Sequence, residues 1–229
     1  MKNYEFLLFD IDDTLLDFGL TEKNALEKLF LTQKIALDDK IKQNYLKFNQ
    51  QLWRQYERGD LKRDQLLQNR FAIFFKKQFN RVVDGKELAK QYQDNLSAGH
   101  EKMMGADELL ASIDTSNYQL SIITNGVADM QYKRLAESKL DKYFPQIFVS
   151  EMTGYQKPSV GFFNYAFDHI TGFNPDKALI IGDSLTSDIQ GGNNVHVDTV
   201  WYNPKNIKNK TSIKATYEID DLLAINNII

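Results

Sequence analysis

The chain has 229 residues, with 28 Lys and Arg against 31 Asp and Glu and a formal charge of −3. That length suits one large domain or a core with an insertion, and the charge leaves no basic surface for duplex nucleic acid. Cysteine is absent, which excludes disulfides, thiolate nucleophiles and Cys-ligated metals. His100, His169 and His196 are too widely spaced to pair as ligands, so any metal site must use carboxylates and favour a hard cation such as Mg2+.

The first residues lack the basic and small-residue features of a leader, and no segment has the apolar length to span a bilayer, so a cytoplasmic protein with no membrane partner is expected. The first element is an apolar strand at residues 6–9, which delivers Asp10 and Asp12 at its carboxyl end. In extended chain residues two apart share a face, so both carboxylates are expected in one pocket. A solvated acidic turn is the plainer alternative for this cluster.

Residues 21–96 carry no convincing strand. Ala25, Leu26, Leu29 and Phe30 repeat with helical period, as do Tyr45, Leu46, Phe48, Leu52 and Trp53, and then Leu66, Leu67, Phe71, Phe74 and Phe75. This reads as an all-helical insertion whose aromatics form its own core. Gly19 with Thr21, and Ser97-Ala98-Gly99, mark its ends as hinges. The expected division is a catalytic core of residues 1–17 and 98–229 and a helical cap of residues 18–97, the cap acting as a lid.

Further strands are expected at residues 120–123, 147–149, 179–181 and 199–201, with a weaker one at 215–217. Helices at 128–138, 160–170 and 185–193 alternate with them, the pattern of a doubly wound parallel α/β sheet. Lys205, Lys208, Lys210 and Lys214 read as a solvated loop.

Each strand end carries polar residues. Thr124-Asn125-Gly126 precede a helix, where backbone N–H groups attract anions, although a simple turn and cap would use the same residues. Lys157 stands before Pro158 on a loop. Asp183 follows the fourth strand directly, and Asp188 falls in the first turn of the next helix, where the helix dipole alone would favour it. A parallel sheet gathers all of these on one edge. Asp10, the backbone carbonyl of Asp12 and Asp183 can supply oxygens to magnesium, and the guest that best suits a metal, a threonine and a lysine is a phosphate. An ionised aspartate can attack phosphorus.

These residues closely resemble the four motifs of the haloacid dehalogenase (HAD) superfamily: Asp10-Ile11-Asp12-Asp13-Thr14, Thr124-Asn125, Lys157-Pro158, and Gly182-Asp183 with Asp188. The resemblance implies Asp10 as nucleophile, Asp12 as general acid and then base, and Thr124, Asn125 and Lys157 as phosphate binders. It also implies Asp183 as a magnesium ligand, with Asp188 supporting the metal waters and Lys157. Carbon–halogen dehalogenases lack a second acid at the position of Asp12, so phosphatase chemistry is favoured.

Residues 10–18, Ser150-Glu151 through Lys157-Pro158, and 198–204 look most like bacterial nucleotidases acting on pyrimidine and noncanonical nucleoside 5′-monophosphates. Asn193-Asn194-Val195-His196 depart from that likeness. The expectation is a magnesium-dependent phosphomonoesterase, most specifically a 5′-nucleotidase, working as a monomer or weak homo-oligomer on a small phosphorylated metabolite. The alternatives are a phosphatase of another metabolite such as a sugar phosphate, a sugar phosphomutase, and a non-catalytic binding module. Phe18, Trp53, Arg54 and Tyr56 are candidates for contacting the organic part of the substrate.

Overall fold

The computed structural model describes residues 2–229. Six strands form one wholly parallel sheet: β1 (Phe6–Phe9), β2 (Gln119–Thr124), β3 (Gln146–Val149), β4 (Ala178–Gly182), β5 (Asp198–Tyr202) and β6 (Tyr217–Ile219). Their order is β3-β2-β1-β4-β5-β6. Successive strands therefore run outward from β1 in opposite directions, and a crevice opens at the carboxyl ends where the order reverses.

The strands are apolar on both faces because helices cover both. Leu7, Phe9, Leu120, Ile122, Leu179 and Ile181 pack on one side with Leu109 and Leu110 of α5 (Ala106–Ser112) and Leu135 of α6 (Ala128–Ser138). Phe6, Leu8 and Ile180 pack on the other with Phe162, Phe163 and Ala166 of α8 (Val160–His169). A short α7 (Ser150–Thr153) follows β3, and α9 (Gln190–Asn194) precedes β5. The last strand lies slightly later than the apolar pattern at 215–217 suggests, because Tyr217, Glu218 and Ile219 pair with Val200, Trp201 and Tyr202.

The chain divides into two compact units. One comprises Met1–Phe18 with His100–Ile229, and the other is Gly19–Gly99. In the first, the outgoing and returning segments run side by side: Leu15 accepts from the Met103 N–H at 2.9 Å, and the Asp17 N–H donates to Glu101 at 2.8 Å.

The second unit is helical, with α1 (Phe18–Thr32, whose first residue belongs to the other unit), α2 (Asp39–Glu57), α3 (Arg63–Phe79) and α4 (Gly85–Leu96). Its aromatic stripe is its own core. Tyr45 stacks on Phe71 at 5.4 Å, Phe71 meets Tyr92 edge-on at 5.0 Å, and Phe30 packs on Phe75 at 5.3 Å. Within this core lies a polar set: Asn49 and Tyr92 both donate to the Glu22 carboxylate, at 2.9 and 3.0 Å, and Arg70 donates to Asn49 at 3.4 Å.

Candidate active site

Asp10 leaves the end of the central strand, its backbone N–H still bonded to Ile181 at 2.9 Å. The chain then turns at once. The Ile11 carbonyl accepts from the N–H groups of Thr14, Leu15 and Leu16, and Asp13 takes a left-handed φ of 59°, a conformation that aspartate tolerates better than most residues. Extended geometry ends here, so the two carboxylates do not share one strand face as the spacing implied. That of Asp10 meets Lys157, and that of Asp12 meets residues of α6.

Lys157 is buried, and its ammonium uses all three protons. It donates to Asp10 Oδ1 at 2.6 Å, to Asp188 Oδ1 at 2.7 Å and to the Ile123 carbonyl at 2.7 Å. What it offers an incoming anion is therefore charge rather than a vacant donor. Its carboxylate neighbours raise its pKa against the effect of burial, so it stays protonated at neutral pH. Asn125 fixes its loop by a reciprocal pair, donating to the Lys157 carbonyl and accepting from the Lys157 N–H, both at 2.9 Å. Asn125 thus holds the lysine segment, a role its expected place among phosphate binders had not suggested.

Thr124 ends β2, and its hydroxyl accepts from the Gly126 N–H at 3.1 Å and from Gln131 at 3.0 Å. With both lone pairs taken, its remaining capacity is its proton, a donor suited to an anion. One donor at the start of α6 is already used, since the Ala128 N–H bonds to Glu151 at 2.7 Å.

Asp183 follows β4, and its backbone carbonyl accepts from the Trp201 indole at 2.8 Å. The helix expected at 185–193 opens with a widened turn at Leu185–Ile189, where the Ser184 carbonyl accepts from both Asp188 and Ile189. This turn brings Asp188, which is fully buried, back over the strand end, where it accepts from the Ser184 N–H at 3.1 Å. Only glycine permits that approach, because a Cβ on Gly182 would lie 2.3 Å from the Asp188 carboxylate.

Asp10, Asp183 and Asp188 can each place a carboxylate oxygen within 4.8 Å of the others. One lysine faces this group of acids. Burial and the neighbouring negative charges push Asp10 up to about 8 and hold Asp183 well above the usual carboxylate range. Such a set is electrostatically unfinished, and a divalent cation is the kind of group that completes it. The donors are all oxygen, as a hard cation requires. With Asp188 engaged by Lys157 and Ser184, Asp10 and Asp183 are the carboxylates left to face an ion.

Two side chains that the motif spacing does not reveal complete the site. Gln131 donates to Asp12 Oδ2 at 2.7 Å, and Arg134 forms a salt bridge with Asp12 Oδ1. Their signal in the sequence was available: both lie on the face of α6 that also carries Leu135 and Ser138, positions that burial would normally assign to apolar residues. His100, His169 and His196 are all exposed.

Residues 7–202 match the haloacid dehalogenase-like hydrolase family. The chain belongs to that family. This hydrolase is 42% identical over 216 residues to the pyrimidine 5′-nucleotidase PynA of Streptococcus pneumoniae, a match that covers 94% of this chain and 91% of PynA. It is 29% identical over 226 residues to the pyrimidine 5′-nucleotidase YjjG of Escherichia coli, covering 96% and 98% of the two chains. The crystal structure of the HAD-hydrolase YfnB of Bacillus subtilis, bound to magnesium, superposes with a TM-score of 0.93 at 44% identity, covering 99% of each chain. No helix among the described residues of this hydrolase is long and apolar enough to cross a membrane.

Proposed function

We propose that this hydrolase is a magnesium-dependent phosphomonoesterase acting through an aspartyl-phosphate on Asp10, with pyrimidine or noncanonical nucleoside 5′-monophosphates as its substrates. The observation that carries the reading is the crowding of Asp10, Asp183 and Asp188 around a single buried lysine at the sheet's reversal point. The likeness to PynA and YjjG supports the nucleotide assignment, and the magnesium in YfnB supports the metal.

Asp10 and Asp183 would hold the ion, with the Asp12 carbonyl beside them, and the ion would neutralise phosphate charge next to the nucleophile. Asp10 is the nucleophile because its carboxylate sits in the cluster, fixed by Lys157. Thr124 donates its hydroxyl proton to a phosphate oxygen, and Lys157 balances charge through Asp10 and Asp188. Asp12 gives its proton to the departing ester oxygen and then accepts one from the attacking water. Asn125 holds the Lys157 loop. The inserted helical unit is where we assign selection of the organic group.

Phosphate release from a panel of phosphorylated metabolites, including uridine and thymidine monophosphates, tests the assignment. Preference for pyrimidine monophosphates, and a loss in Asp10→Asn of at least about 10³-fold, are expected. Equal activity in Asp10→Asn removes the nucleophile, and a flat substrate profile removes the nucleotidase reading.

A further inference from the structure

The Asp12 carboxylate is gripped at both oxygens by side chains that the proposed reaction does not itself require. Gln131 and Arg134 lie three residues apart on α6 and are fully buried. Gln131 Nε2 donates to Asp12 Oδ2 at 2.7 Å and to Thr124 Oγ1 at 3.0 Å, while Arg134 Nη1 donates to Asp12 Oδ1 and, at 2.9 Å, to Gln131 Oε1. One amide thus joins the acid–base residue to the threonine that ends β2.

The burial is lopsided. The Arg134 side chain is wholly enclosed, whereas that of its partner Asp12 is 27% exposed. Burying a guanidinium costs several kcal/mol before pairing, and replacing such a pair with apolar groups is often neutral or stabilising. An ion pair that sinks the cation and leaves the anion facing outward is poorly explained by stability. It is well explained as a device for presenting a carboxylate. The backbone is shaped around the same contact: a Cβ on Gly126 would lie 2.4 Å from Gln131 Nε2, so glycine keeps the amide's path open. The Phe18 ring covers the guanidinium at 5.6 Å and limits its movement.

We propose that Gln131 and Arg134 are positioning residues that fix the Asp12 carboxyl group at the leaving oxygen and lock it to Thr124, so that proton transfer and phosphate binding share one rigid frame. The proposal rests on the reading of Asp10 as nucleophile and Asp12 as acid–base. In the first half-reaction an Asp10 oxygen bonds to phosphorus, the ester P–O bond breaks, and the ester oxygen takes the Asp12 proton. In the second, Asp12 accepts a proton from water, the water oxygen bonds to phosphorus, and the P–O bond to Asp10 breaks. Free phosphate leaves, and Asp12 is protonated again. An acidic phenol can depart without the proton, so only the first half-reaction becomes insensitive to where Asp12 sits.

The test compares wild type with Gln131→Leu, Arg134→Met and Arg134→Lys, with Mg2+, on phenyl phosphates graded from p-nitrophenyl to p-methoxyphenyl. In Gln131→Leu and Arg134→Met, p-nitrophenyl phosphate should give a burst of about one equivalent of phenolate at near wild-type rate. Steady turnover should then fall on the order of 10²-fold and KM should fall with it, because kcat/KM reports the unaffected first half-reaction. Dependence on leaving-group acidity should steepen, and Arg134→Lys, which keeps a cationic donor, should recover part of the loss. If Arg134→Met melts below the assay temperature, Gln131→Leu decides alone. A uniform loss across the series without a burst, or no loss, overturns the positioning role. A wild type that releases no phosphate from any of the series overturns the Asp10 reading itself, and the positioning role with it.

Discussion

Two regions bury charge in this protein, and they do so differently. In the helical unit Glu22 and Arg70 are one acid and one base, bridged by Asn49 and joined by the Tyr92 hydroxyl, so the set is neutral and internally hydrogen-bonded. At the sheet edge Asp10, Asp183 and Asp188 face Lys157, so full ionisation leaves excess negative charge. The first arrangement is balanced in charge as folded. The second is complete only with a cation, and that imbalance separates a site from a structural network more clearly than burial does.

The sharpest way to break the comparison is to unbalance the neutral set. Arg70→Met removes the base of this set, and removing one member of a buried ionic set costs about 3–5 kcal/mol. A large fall in Tm is expected, with the stabilisation by Mg2+ unchanged. If that stabilisation disappears as well, the helical set belongs to the metal chemistry.

The converse change acts on the unbalanced set. Asp183→Asn removes a carboxylate that burial and the neighbouring acids hold well above the ordinary range, and it should raise the metal-free Tm by about 2–4 °C, as relief of about 1 kcal/mol would. Stabilisation by Mg2+ should vanish in the same variant. A metal-free Tm that falls would mean the acids are not in conflict.

The pH dependence has a definite sign. With Asp10 raised from 3.8 to about 8, the metal-free fold binds protons more tightly than the unfolded chain between those values. Metal-free stability should therefore decline as pH rises through that window, and Mg2+, which competes with the proton, should stabilise increasingly over the same range. Thermal melts from pH 5 to 8.5 with EDTA or Mg2+ check this, and parallel curves would contradict it.

The smallest effect sharpens the picture at Asp183. Trp201→Phe removes the indole donor to the Asp183 carbonyl, a bond worth about 1 kcal/mol. A severalfold weaker Mg2+ affinity by calorimetry, with turnover at saturating Mg2+ nearly retained, is expected. An unchanged affinity would show that the carbonyl contact has no influence on the side chain.

Much of this was legible in the chain because apolar runs ending in Asp or Thr are unusual. Residues 6–9 and 179–181 could be read as buried strands, and a parallel sheet then brings Asp10, Thr124 and Asp183 to one edge. What local patterning could not show was any feature made by a distant contact. The turn at Asp13 sends Asp10 and Asp12 to different partners, and the widened turn at Leu185–Ile189 is set by Asp188 reaching back to Ser184 and Lys157. The partner of Gln131 and Arg134 was hidden for a related reason. On a helical wheel they are polar residues on a buried face, and only the fold shows that Asp12 waits there.

The strand that carries Asp10 at its end has paired neighbours on both sides, whereas β3 and β6 each have one. Amide hydrogens at Leu7 to Phe9 should accordingly exchange only on global unfolding, while those of Tyr217 to Ile219 exchange through local fraying. Thermal breathing that loosens the rim leaves Asp10 on the last part of the sheet to let go, so chemical competence should persist until the molecule melts as a whole.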